Sequence, residues 1–121
     1  MSEQTYHVIT AYQTQYPNPL IVHAGDTLQI SKEEPWEGNS AWIWLWCTSH
    51  HGTSGWVPQS YLERSGNTGT MHVGYSTQEL TVAVGEIVTG AKEESGWVWC
   101  TNQQRNSGWV PLNCLARAQD P

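Results

Sequence analysis

The side chains able to do chemistry gather at a few points. Cys47, His50 and His51 lie within five residues and carry ligand atoms suited to a metal ion. Alternation along the preceding strand turns Cys47 inward while both histidines sit at a loop tip, and no Cys-x-x-Cys completes a ligand set. Glu33-Glu34 and Glu93-Glu94 could be acid–base pairs, but neighbours in a loop point apart and lack a dry pocket between them. No Gly-x-Ser-x-Gly elbow, phosphate-cradling loop or Cys-His dyad occurs. The expectation is a protein that is not an enzyme and uses no metal or cofactor. Its chemical resource is aromatic: eight Trp and five Tyr with no Phe.

These rings are placed by a duplication. Trp46-Cys47-Thr48 and Gly55-Trp56-Val57-Pro58 recur as Trp99-Cys100-Thr101 and Gly108-Trp109-Val110-Pro111, at a constant offset of 53 (99 − 46 and 109 − 56). Upstream the offset is 60, since Leu20, Gly25 and Lys32-Glu33-Glu34 match Leu80, Gly85 and Lys92-Glu93-Glu94. The first copy therefore holds seven extra residues between Lys32 and Trp44. A repeat of this kind fixes the organisation before any other argument.

Each copy reads as short strands with tight turns, and no sustained 3.6-residue period appears. Tyr6–Tyr12 is β-branched and aromatic, Gln13–Pro19 is a polar excursion, and Leu20–Val22 resumes extended structure. Leu28 and Ile30 alternate with polar residues, and Lys32–Ser40 reads as an acidic loop with Trp36 in its middle. In residues 41–48 the period of two puts Trp42, Trp44 and Trp46 on one face and Ile43, Leu45 and Cys47, the expected core side, on the other. Trp46 with Trp56, and Trp99 with Trp109, flank equivalent hairpin loops and are expected to meet across them.

Eleven acidic against five basic residues, a net charge of −6, argue against nucleic acid or an anionic membrane as partner and favour a basic one. No apolar run reaches the roughly 18 residues of a membrane span. Three cysteines cannot all pair within the chain, and Cys47 and Cys100 hold equivalent strand positions. Reduced structural thiols are expected, and with the short polar start at residues 1–5 they lead to the expectation of a cytoplasmic protein without an export signal.

The order of strand, long excursion, Gly-Asp turn, strand, acidic loop, Trp strand, hairpin, Gly-x-Val-Pro, short turn and last strand resembles the SH3 domain. Residues 8–12 lie where that family has its Ala-Leu-Tyr-Asp-Tyr signature. Residues 20–26 resemble the segment ending in the diverging turn, Trp44 the leading Trp, and Pro58-Gln59-Ser60-Tyr61-Leu62 the Pro-Ser-Asn-Tyr-Val motif. The resemblance implies an all-β chain of two tandem SH3-like five-stranded barrels, residues 6–64 and 71–117, joined by a short linker at 65–70.

It also implies a partner, a protein or peptide that is proline-rich or basic, docked as a polyproline II helix on an aromatic shelf. In the first copy that shelf would be Tyr12, Trp44, Pro58 and Tyr61. The excursion 13–19 has no carboxylate, so Glu33, Glu34 and Glu37 would supply the acids, and Trp36 and Trp42 would enlarge the surface. In the second copy Val73 and Cys114 replace two shelf tyrosines and only Tyr75, Trp97 and Pro111 match, so weak or no polyproline binding is expected there. Trp44 and Trp97 are either shelf residues or structural ones, and Trp36 and Trp42 either an interaction surface or a packing plug. The competing function is an assembly module whose aromatic faces are buried between the two domains or in an oligomer. Cell-wall peptide binding is a third reading, disfavoured because the Leu-Asn-Val-Arg-Ser-Gly motif of that group is absent. The sequence does not fix the oligomeric state.

Overall fold

The computed structural model describes residues 3–118. Apart from two single 3₁₀ turns, its regular elements are all strands. In chain order they are β1 (Gln4–Val8), β2 (Ile21–Val22), β3 (Thr27–Trp36), β4 (Asn39–Thr48), β5 (Ser54–Pro58), β6 (Leu62–Ser65), β7 (Thr68–Met71), β8 (Tyr75–Ser76), β9 (Ile87–Glu94), β10 (Trp97–Thr101), β11 (Ser107–Pro111) and β12 (Leu115–Arg117). The 3₁₀ turns at Gln59–Tyr61 and Leu112–Cys114 follow β5 and β11.

The chain forms two compact units, and they do not follow the repeats. Unit 1 is residues 1–17 with 78–121, and unit 2 is residues 18–77. Unit 2 holds a five-stranded sheet in the order β5-β4-β3-β7-β6, together with the small β2-β8 ladder. Unit 1 holds β11-β10-β9-β1-β12. The opening strand of each repeat thus completes the sheet built from the other repeat. Both are open sheets, with no ladder joining β5 to β6 or β11 to β12 among the described residues, rather than the closed barrels expected.

The expected linker is one reason. Residues 65–70 are a β-hairpin in which Ser65 pairs with Thr68. Gly66, at φ +59, takes the first central position of a two-residue turn, where a type II′ hairpin needs positive φ. Arg64 Nε donates to the Gly66 carbonyl at 3.0 Å and Thr68 Oγ1 to the Ser65 carbonyl at 3.0 Å. A two-residue turn returns the chain antiparallel to its own last strand, so β7 pairs with β6. Unit 1 is then left to β1, which pairs with β9 and β12.

The acidic loop is likewise ordered. Trp36 faces Asn39 around Glu37 (φ 54) and Gly38 (φ 72), a turn with both central residues at positive φ, so residues 32–36 and 39–40 are hairpin arms. The second repeat turns earlier, at Ser95 (φ 49) and Gly96 (φ 95) between Glu94 and Trp97. Glu34 faces Trp44 as Glu94 faces Trp97, so the seven-residue insertion lengthens one hairpin beyond the other.

Leu45 and Cys47 are fully buried, as the alternation predicts, but Ile43 on the same face is only partly buried and Trp44 on the opposite face is buried as well. Unit 1 closes over Tyr6, Val8, Leu80, Val82, Val88, Val98, Cys100, Val110, Cys114 and Leu115. In unit 2 Leu20, Leu28, Ile30, Leu45, Val57, Leu62 and Met71 are buried. Trp46 and Trp56 are register partners with ring centroids 5.1 Å apart at 66°, and Trp99 and Trp109 repeat this at 5.4 Å and 75°.

Candidate peptide-binding surface

β4 and β5 set Trp44 directly opposite Pro58, and β10 and β11 set Trp97 opposite Pro111. The 3₁₀ turn after β5 brings up Tyr61, whose ring meets Tyr75 edge to face at 5.2 Å and 86°. Tyr75 also donates its hydroxyl to the Trp56 carbonyl at 3.1 Å. Unit 2 therefore gathers Trp44, Pro58, Tyr61 and Tyr75, the last from the second repeat.

Tyr12 goes the other way. It is bridged to Val82 by reciprocal backbone hydrogen bonds of 2.9 and 2.8 Å, and its ring stands edge to face with Trp97 at 5.6 Å and 87°. The grouping of Tyr12 with Trp44, Pro58 and Tyr61 is thus corrected, as is that of Tyr75 with Trp97 and Pro111. The two tyrosines trade units for the same reason as β1 and β7, because each lies just downstream of an exchanged strand.

The expected outer platform is also closed to water. Exposure is 7% at Trp44, 8% at Tyr61, 8% at Tyr75 and 9% at Trp97, and Pro58 and Pro111 are buried. Tyr61 with Tyr75, and Tyr12 with Trp97, pack edge to face, which takes up ring surface that a proline-rich ligand would otherwise cover.

The lengthened hairpin is more open. Glu33, Glu34 and Glu37 are exposed, and Trp36 and Trp42 are partly buried. Glu33 receives Arg64 Nη1 at 2.6 Å, and Lys32 Nζ lies 5.9 Å from the centre of the Trp46 ring. Two of the unit's cations thus line this acidic strand. The aliphatic face of the insertion is carried by Ile43, opposite Pro35.

Glu79 ties down the excursion after Tyr12, a role that sequence reasoning missed. One carboxylate oxygen accepts from Tyr12 Oη (2.7 Å), the Gln15 amide (3.1 Å) and Thr14 Oγ1 (3.4 Å). The excursion 13–19 has no carboxylate of its own, and the one it uses comes from the other repeat. Burial first, then the hydrogen bond to Glu79 and its charge, push the Tyr12 phenol well above its ordinary range. Nothing in the local sequence around Tyr12 signals this, because the pair lies 67 residues apart.

All three cysteines are free thiols. Burial pushes Cys47 and Cys100 up to about 12, against a small opposing effect of Arg64 on Cys47. Cys47 is fully buried while His50 and His51 are exposed, their rings 4.1 Å apart, so the three do not converge. Among the described residues no group of three or more His, Cys, Asp or Glu could hold a metal ion, and no helix is long and apolar enough to cross a membrane.

Against known families, the variant SH3 domain model matches residues 5–64 and again residues 71–117. No curated protein matches the chain.

Proposed function

The chain belongs to the variant SH3 family, whose members are in general protein-interaction modules, and from that premise we propose that it binds a basic, proline-containing segment through the lengthened hairpin of unit 2. One observation carries the reading: the β3–β4 hairpin runs seven residues past the point where β9–β10 turns, and holds exposed Glu33, Glu34 and Glu37 beside partly exposed Trp36 and Trp42. A chain of net charge −6 attracts a basic partner, and indole faces give proline rings and arginine stems flat contact. A short segment buries far less than a standard interface, so micromolar affinity is expected. The module has no catalytic role in this reading, and its free thiols suit the cytoplasm.

The burial of Trp44, Tyr61, Tyr75 and Trp97 favours a second reading, in which the shelf is structural and the chain is an assembly module. Titration of Trp fluorescence with a basic proline-containing peptide separates the two. On the first reading the wild type responds, added salt weakens the response, an acidic peptide gives none, and Trp42→Ala with Glu34→Gln weakens it at least tenfold. A silent wild type favours assembly. A response that survives these changes but is lost in a folded Trp44→Ala variant returns the site to the shelf.

A further inference from the structure

The Gly66 turn favours β7 beside β6, but the two receiving slots are equivalent in register, so the turn is not the only thing that can specify the exchange of β1 and β7. Tyr6 faces Val88 and Arg117 as Gly69 faces Leu28 and Arg64, and Val8 faces Leu115 as Met71 faces Leu62. The registers are the same under the offsets of 60, 53 and 63 (88 − 28, 117 − 64 and 71 − 8). Backbone pairing alone cannot tell the strands apart.

The side chains can. In unit 1 the ring of Tyr6 fills the space above Gly90, where an added Cβ would stand 2.6 Å from Tyr6 Cε2 and 2.7 Å from Val98 Cγ1. In unit 2 the slot is filled from its walls: a Cβ on Gly69 would meet Leu62 Cδ1 at 2.7 Å and Ile30 Cδ1 at 3.2 Å. Position by position, unit 2 has Leu28, Ile30 and Leu45 where unit 1 has Val88, Gly90 and Val98, all of them buried. Large walls receive a glycine strand, and small walls receive a tyrosine strand.

We propose that the slot between β9 and β12 is a strand-binding surface keyed by Gly90 to an extended segment bearing an aromatic ring at the position of Tyr6, and that residues 4–8 of this chain are its occupant. Pairing each strand within its own repeat would press Tyr6 against Ile30 and Leu62, and would leave a ring-sized void over Gly90 where Gly69 would lie. Overpacking and cavity penalties then act together against the unexchanged arrangement. The key is side-chain volume, so it can be rewritten without touching the turns.

The test uses the full chain and cross-strand Hα–Hα nuclear Overhauser contacts, which are short only between paired strands. Wild type is expected to show Val8–Leu115 and Met71–Leu62. The double variant Tyr6→Gly/Gly69→Tyr mismatches both slots and is expected to lose the Val8–Leu115 contact. Adding Ile30→Gly and Gly90→Ile re-matches both slots with the volumes inverted, and is expected to restore that contact and the lost stability. A double variant that keeps the Val8–Leu115 contact at the wild-type melting temperature would overturn the proposal. If the double variant does not fold, the quadruple variant decides: recovery of the fold with Val8–Leu115 supports the key, and failure to recover refutes it.

Discussion

Glu79 and the buried thiols show what single side chains contribute here. Three donors from residues 12–15 converge on one Glu79 oxygen. Hydrogen bonds to a charged group contribute more than neutral ones, so Glu79→Ala should cost about 1–3 kcal/mol in denaturant unfolding. It should also bring the Tyr12 phenol down toward its ordinary range, since two of its upward causes, the Glu79 hydrogen bond and charge, are gone while burial remains; an ultraviolet titration that leaves Tyr12 unmoved would contradict this. The thiols carry the same sign. Cys47 and Cys100 stand at about 12 when folded against 9.0 ordinarily, so in that interval the folded chain holds protons that the unfolded chain has released. Their contribution is fully present below pH 9 and is lost as pH rises toward 12, with a slope approaching 1.4 kcal/mol per unit for each thiol, about the value of one pKa unit. Replacing both with Ala should flatten the alkaline side of the stability curve relative to wild type, and equal slopes would refute the assignment.

At the scale of elements, two-residue turns decide the pairing. Gly66 at φ +59 closes β6 onto β7, so Gly66→Val should cost on the order of 1–2 kcal/mol through left-handed backbone strain, with the loss read by thermal melting. The lengthened hairpin behaves differently, because its shorter counterpart shows how the same ladder closes without it. Replacing residues 35–43 with Ser-Gly copies the Ser95-Gly96 turn between the equivalent partners Glu34 and Trp44. The exchange of loops should leave unit 2 folded, with melting shifted by only a few degrees, and should abolish the fluorescence response to a basic peptide. Retained binding would remove the hairpin from the proposed function. The arms of this hairpin are hard to read as strands because Glu, Lys and Pro are depleted in sheets, and its turn rests on positive φ at both Glu37 and Gly38.

At the scale of the whole molecule, local pattern was legible and partnership was not. The period of two gave Leu45 and Cys47 as core but not the burial of Trp44, and the ten-residue spacing of Trp46 and Trp56 gave their contact, because each depends on neighbours along the chain. Which copy of a repeated strand enters which sheet depends on the turn at Gly66 and on volumes at Tyr6, Ile30, Gly69 and Gly90, and repeats make the alternatives look alike. The family match over residues 5–64 and 71–117 follows the repeats, whereas the compact units do not. That difference makes fragments informative. Residues 18–77 contain every partner of β2 through β8, joined without a break. Residues 6–64 match the family in sequence but lack β7 and β8, and would have to seat Tyr6 against Ile30. Expressed alone, 18–77 should unfold cooperatively with dispersed amide signals, while 6–64 should lack them or melt well below it. The reverse order of stability would mean that the repeats, and not the exchanged units, are the true folding domains.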